Sequence, residues 1–284
     1  RGVLPTPYIG NVARYVRDGG AVLIASGPAF AGVESLWRTP LADIIPARPT
    51  AQVFEEGFSP RVTEIGDRHP VTAGLGGRAP DADEPGWGRW FRHVQIEQRS
   101  GESLMDGVQG EPLLVLDRVG EGRVAILASD HAWLWTRGYE GGGPQAELLR
   151  RLAHWLMKEP ELEEEALTAT VQGAQITAER RSVGDGPDAL TVAAPSGEER
   201  TVDFAEAGPG RWIAVYEAAE PGLHRLSDGE REAAAAVGPS APREFANPIS
   251  TTALLAPLAE ATGGAAIRLA SAGAPDIRRV REGR

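Results

Sequence analysis

Apolar positions in the first half of the chain follow two rhythms. From Tyr8 to Asp18, Ile9, Val12, Ala13 and Val16 share one helical face, and Gly19 and Gly20 supply a C-terminal stop. Ala21 to Ala25 is a short continuous apolar run of the kind that forms a buried strand, and it ends in Ser26, Gly27 and Pro28. The spacing predicts a second short helix over Val33 to Ile44 and a strand and turn over Phe58 to Gly76. Gly77 to Gly88, rich in Gly, Pro and Asp, reads as a surface loop, and Trp90 to Ile96 and Pro112 to Asp117 as strands.

The strongest pattern lies between Gly122 and Met157. An apolar run from Arg123 to Ser129 is followed at once by Asp130 and His131. A loop then carries Trp133, Trp135, Arg137, Tyr139 and Glu140 and closes on Gly141, Gly142 and Gly143. Pro144 stands at a favoured first helical position, and Leu148, Leu149, Leu152, Trp155 and Leu156 line one face of the helix beyond it. Strand, polar loop and helix in that order place ligand groups at the carboxyl edge of an open α/β sheet.

Beyond Met157 the rhythm changes. Glu159, Glu161, Glu163, Glu164 and Glu165 surround Pro160, which predicts a domain boundary and a solvated tether. From Leu167 to Val237 only short alternating runs occur, among them Leu190–Val192, Val202–Phe204 and Trp212–Tyr216, separated by Gly, Pro and Asp turns. That spacing indicates a β-sandwich. A last helix is marked by Thr252, Leu254, Leu255, Leu258 and Ala259. It stops at Gly263 and Gly264, ahead of a strand candidate Ala265–Leu269 and a tail with Arg278, Arg279, Arg281 and Arg284.

Composition narrows the function classes. The chain has 284 residues and a formal net charge of −11, which argues against nucleic acid as a partner, because phosphate binding needs a basic face. It has no cysteine, so disulfides, thiolate metal sites and a cysteine nucleophile are excluded together. The histidines show no ligand spacing, and neither a metal nor another cofactor is expected. No run reaches the length of a membrane span, and no signal peptide is visible. The chain opens at Arg1 with a helix and then a strand. We therefore expect a soluble piece of a longer protein with an earlier strand upstream.

Four phrases in order resemble one family: RYVRDGGAVLIASG (Arg14 to Gly27), GDRHPVTAGL (Gly66 to Leu75), PLLVLDRVGEGRVAILASDHAWLW (Pro112 to Trp135) and RLAHWLMKEP (Arg151 to Pro160). They look like the class I glutamine-amidotransferase-like domain of large bacterial membrane proteins that also carry von Willebrand factor A-like regions. A weaker resemblance to the next segment of the same proteins runs from Gly208 to Leu269 and includes LAEATGG. The resemblance implies a flavodoxin-like α/β domain over residues 1–160, an all-β immunoglobulin-like sandwich over 166–240, and a short helix-strand segment with a basic tail over 245–284. It also implies a setting near a membrane, outside the cytoplasm, reached through segments beyond this chain, with other parts of that protein or a separate protein as partner. The cysteine and the His-Pro-Glu of working amidotransferases are missing: Ser26 stands at the strand-to-helix turn, and His131 is followed by Ala132 and Trp133.

Three function classes are compatible with these residues. The favoured one is a catalytically inactive domain that recognises a protein or ligand through Trp133, Trp135, Arg137, Tyr139 and Glu140, the residue types of interface anchors. The second is a serine hydrolase or amidotransferase-like enzyme in which Ser26 is the nucleophile, His131 its base and Asp130 or Glu140 the orienting group. Against it, the G-x-S-x-G pattern is not met and Pro28 removes an N–H. The third is a carbohydrate-binding module of the cell envelope. For each residue a structural role competes: a turn at Ser26, a cap at Asp130, a packed ring at His131, and tryptophans that cover the sheet edge. The glycine run before the helix offers free N–H groups to an anion but lacks the lysine of a phosphate loop.

Overall fold

The computed structural model describes residues 5–75, 86–238, 251–253 and 255–266. The chain divides into two compact units, Arg1–Val237 and Gly238–Arg284. In the second unit the described residues form helix α5 (Ala256–Ala261). Leu254, most of the segment Ala265–Leu269 and the arginines of the tail lie outside the described residues, as does most of the loop expected at Gly77–Gly88.

The first unit begins with α1 (Thr6–Arg17), which buries Ile9, Ala13 and Val16, and continues into β1 (Ala21–Ala25). The expected helix over Val33 to Ile44 is replaced by short 3-10 turns at Leu36–Arg38 and Pro40–Asp43. The reason is local. Ser35 and Thr39 each accept a backbone N–H with their hydroxyls, and Thr39, held extended before Pro40, breaks the helical path.

Strands β2 (Ala47–Phe54) and β4 (His93–Gln98) pair antiparallel as a separate ribbon, while β3 (Arg61–Val62), β5 (Glu102–Asp106), β6 (Pro112–Val119) and β7 (Gly122–Leu127) join β1 in a five-stranded sheet. Its order is β1-β7-β6-β5-β3, and only β1 and β7 run parallel. This overturns the flavodoxin-like expectation. A parallel sheet needs a crossover between neighbouring strands, whereas Gly120 and Glu121 turn β6 straight back into β7 as a hairpin. Short apolar runs look alike in parallel and antiparallel sheets, so the sequence pattern does not separate the two.

Helix α2 (Glu64–Arg68), capped by the Thr63 hydroxyl, follows β3. Helices α3 (Trp133–Thr136) and α4 (Gln145–Leu156) follow β7. Gly122 lies against the carbonyl of Val16 in α1, and the side chain of the next residue, Arg123, reaches the carbonyl of Trp155 in α4. Successive residues of a strand point to opposite faces, so α1 and α4 cover the sheet from opposite sides. Every residue of β7 is buried as a result.

After the acidic segment, eight strands form two four-stranded antiparallel sheets. One has the order β12 (Ala205–Gly208), β13 (Arg211–Glu217), β9 (Gln175–Arg181), β8 (Ala166–Gln172). The other runs β11 (Glu199–Asp203), β10 (Ala189–Ala193), β14 (Gly222–Ser227), β15 (Glu232–Val237). Ile176, Ala178, Leu190, Val192, Ala214 and Leu226 belong to a core of their own, apart from the larger core of the first half. Among the described residues the fold class is thus corrected from a flavodoxin-like α/β domain to a β-rich arrangement of four sheets with short helices.

The acidic segment is not a free tether. Glu163 accepts from Arg118 and from the buried Arg123, and Glu164 from Arg118 and from the Trp155 indole at 3.1 Å. Glu165 takes Arg180 at 2.7 Å together with the Ser182 hydroxyl and the Val183 N–H. Burial works against charge on Glu163, but hydrogen bonds from Arg118 and Arg123 hold its carboxyl below the usual value. Local sequence shows the charge, not the arginines that meet it.

Near this cluster His69 is 2% exposed, edge-on to Trp155, and accepts the Val71 N–H at Nδ1. Burial pushes its pKa down to about 4; Glu164 opposes this, and Arg118 and Arg123 add to it. A group with its pKa depressed on folding takes up protons first in the unfolded chain. Its contribution is full above pH 6.5 and is lost as pH falls towards about 4, at a cost of about 3 kcal/mol. Urea midpoints across that range are expected to fall more steeply for the wild type than for His69→Asn. Parallel curves would refute the assignment.

Candidate functional site

The parallel pair β1 and β7 ends at one edge, and both strands run there into polar residues: Ser26 and Gly27 after β1, Ser129, Asp130 and His131 after β7. The Ser26 N–H donates to the Leu127 carbonyl at 2.8 Å, which carries the pairing one residue past β1. Gly27 leaves room for the Asp130 carboxylate: a Cβ there would lie 2.9 Å from its Oδ2.

The stretch leading into β4 completes the edge from the other side. The Ser129 hydroxyl donates to the Arg92 carbonyl at 2.6 Å and accepts the His131 N–H at 3.1 Å. The Arg92 guanidinium donates from Nη1 to Asp130, at 3.1 Å to Oδ2, and its Nε lies 3.7 Å from Oε1 of Glu55. That Nε is buried without a hydrogen-bond partner. The Phe91 N–H donates to Nδ1 of His131 at 3.3 Å. Sequence reasoning missed Glu55, Phe91 and Arg92, which lie far from Asp130 along the chain.

Ser26 is 2% exposed, and its hydroxyl has no hydrogen-bond partner. It is therefore not bonded to His131. With Nδ1 occupied as an acceptor, the neutral imidazole of His131 carries its proton on Nε2, which lies 3.8 Å from Oδ1 of Asp130, too far for a hydrogen bond. Burial lowers the His131 pKa, Asp130 opposes, and Arg92 adds to the lowering. The ring is thus kept neutral as a donor at Nε2, the reverse of what a base at that nitrogen needs.

The aromatic residues divide into buried and projecting ones. Trp135 is 3% exposed; its indole donates to the Gly88 carbonyl at 2.7 Å and meets the rings of Trp87 and Trp90 at 5.2 and 4.8 Å. Trp135 is core, not a binding residue. The glycine run serves that packing: a Cβ on Gly143 would meet the Trp135 ring at 2.5 Å, and Gly142 takes a positive φ while its carbonyl accepts the Gly88 N–H.

Trp133 projects, 52% exposed, and meets His131 edge-on at 6.3 Å between ring centroids. Tyr139 is half-exposed and packs its ring against Phe91. Glu140, with φ of 47°, is held by Arg89 through Nε at 2.9 Å, and hydrogen bonds from Arg89 bring its pKa down to about 2. Glu140 therefore braces the loop through Arg89. Arg137 is exposed.

The edge thus presents a line of side chains, Glu55, Arg92, Asp130, His131 and Trp133, each in reach of the next. Among the described residues no group of three or more His, Asp or Glu is placed to hold a metal ion. None of the helices formed by these residues is long and apolar enough to cross a membrane.

No family model matches the chain. No curated protein matches it either. Among solved structures it is similar to two cytoplasmic proteins of Salmonella typhimurium, each at 21% identity over 52% of this chain with a TM-score of 0.43. The chain spans 59% and 60% of the length of those proteins. A cold-adapted β-galactosidase from Rahnella sp. R3 is 12% identical over 73% of this chain and 30% of its own, with a TM-score of 0.36. At these scores the likenesses carry no argument about fold or activity. The expected flavodoxin-like description is corrected by the sheet itself, in which only β1 and β7 run parallel.

The two tryptophans give a direct check. Trp135→Ala empties a packed aromatic core and is expected to cost about 3–5 kcal/mol, whereas Trp133→Ala should stay within about 0.5 kcal/mol of wild type. Urea denaturation measures both. Equal losses would refute the division into core and projecting ring.

Proposed function

We propose that this chain is a non-catalytic recognition module that binds a ligand or protein at the edge formed by Asp130, His131 and Trp133. The observation that carries this reading is the state of the two residues an enzyme would need. The Ser26 hydroxyl is sealed and bonded to nothing, and His131 spends its acceptor nitrogen on the Phe91 backbone. A serine nucleophile requires a base at its hydroxyl. A binding site asks for less: an exposed ring, fixed polar groups and little motion on complex formation.

The groups around Trp133 meet those needs. Asp130 is fixed by Arg92, Arg92 is set between two carboxylates, and His131 is oriented by the backbone of Phe91. The exposed ring sits on α3, whose Trp135 is anchored in the core two residues on.

A fluorophosphonate probe reports an activated serine directly. Wild type and Ser26→Ala are expected to remain equally unlabelled and to hydrolyse p-nitrophenyl acetate at the same background rate. Stoichiometric labelling of Ser26 would overturn the non-catalytic reading and restore the serine-enzyme alternative.

A further inference from the structure

We infer that the ligand of this edge is a neutral saccharide, stacked on Trp133 and hydrogen-bonded by Asp130 and His131. The inference rests on the recognition reading above and names the ligand class for that same site.

Charge comes first. The only guanidinium in the line, that of Arg92, is already shared by Asp130 and Glu55. A phosphate or carboxylate ligand would face these two carboxylates beside a guanidinium already paired with both; the exposed Arg137, one turn after Trp133, lies outside this line. Cationic ligands would in turn have to compete with Arg92 for Asp130. The surface is therefore suited to a polar ligand without net charge.

Hydrogen-bonding chemistry is the second argument. Side by side stand acceptor oxygens on Asp130 and a donor N–H at Nε2 of His131, 3.8 Å from Oδ1 and not bonded to it. A pair of neighbouring hydroxyls matches such a set, since each hydroxyl both donates and accepts. One can give its proton to the carboxylate while the other takes the imidazole N–H. The gap that is too long for a direct bond between Asp130 and His131 leaves both open to that use.

Shape is the third. Trp133 touches His131 edge-on, with no other ring or guanidinium stacked on it among the described residues. The proposed ligand lies on an indole face with its rim towards His131 and Asp130. A pyranose has the form for this, a C–H face bounded by hydroxyls.

The test uses the full chain and a panel of uncharged tetrasaccharides: cellotetraose, mannotetraose, chitotetraose and β-1,4-galactotetraose. Intrinsic tryptophan fluorescence and amide chemical shifts are followed during titration. At least one sugar is expected to saturate with a Kd of about 0.1–1 mM. Affinity should fall by about 10-fold or more in Trp133→Ala, a loss of at least about 1.4 kcal/mol, and be largely kept in Trp133→Tyr. Tyr15→Ser, which removes an exposed ring on α1, should bind like wild type. Adenosine, a neutral planar ligand without the pyranose face, is the competitor class.

Saturation by adenosine with none by the sugars would overturn the saccharide assignment, and so would sugar binding that survives Trp133→Ala. No saturation by any sugar up to about 10 mM would overturn it as well. None of these outcomes bears on the non-catalytic reading, which fails only on Ser26 labelling.

Discussion

Arg123 is a full positive charge on a strand buried on both faces, 3% exposed, and much of the first unit is arranged to satisfy it. Leaving such a charge unpaired would cost several kcal/mol. Its guanidinium stacks on Trp155 at 4.9 Å and donates to the Trp155 carbonyl and to Glu163. One side chain thereby fixes the C-terminal end of α4 and the acidic segment against β7. Arg118, on the preceding strand, doubles the hold on Glu163 and adds Glu164. Next to them in the chain, Glu165 passes the same logic to Arg180 of the second half. Arg180 is itself 3% exposed on its side chain and needs Asp228, wholly buried, as well.

The clamp bears on the candidate site through geometry. Arg123 holds β7 at its start, β1 lies alongside it in register from Ala21 with Arg123 to Ala25 with Leu127, and both strands end together. The residues beyond the two strand ends must therefore meet at one edge. Gly27 allows Asp130 to approach, and the Arg92 stretch closes the third side by pairing with Ser129 and Ala128. The tryptophans Trp87, Trp90 and Trp135 form the floor, and with them in place the other ring of that short helix, Trp133, is left outside.

How much of this is legible in the sequence depends on the range of each interaction. Helical faces such as Ile9–Ala13–Val16 and the strand Ala21–Ala25 are set by neighbours and can be read from spacing. Strand direction cannot, because a five-residue apolar run carries no mark of its partner's orientation. Asp130, His131 and Trp133 stand out because they follow a strand end, but Trp135 looks the same as Trp133 in sequence. Two residues of helix separate a ring 52% exposed from one 3% exposed, and the choice is made by Trp87, Trp90 and Gly88, distant along the chain. Glu55 and Arg92 escape sequence reasoning for the same reason. The acidic segment reads as solvated because its arginine partners come from three different strands.

His131 shows how little needs to change to separate binding from catalysis on such an edge. An imidazole beside a carboxylate at a strand end is the usual start of a base, and the residue types alone do not exclude it. The backbone of Phe91 decides otherwise by donating to Nδ1, which fixes the proton on Nε2 and turns that nitrogen into a donor. Asp130, instead of orienting the ring, is taken by Arg92 and held 3.8 Å from it. Ser26, sealed beneath the turn, completes the separation, because its hydroxyl is bonded to neither group. The same three residue types that suggest a hydrolase in sequence are thus arranged as a fixed donor, a fixed acceptor and a buried turn, and on that arrangement the proposed recognition role rests.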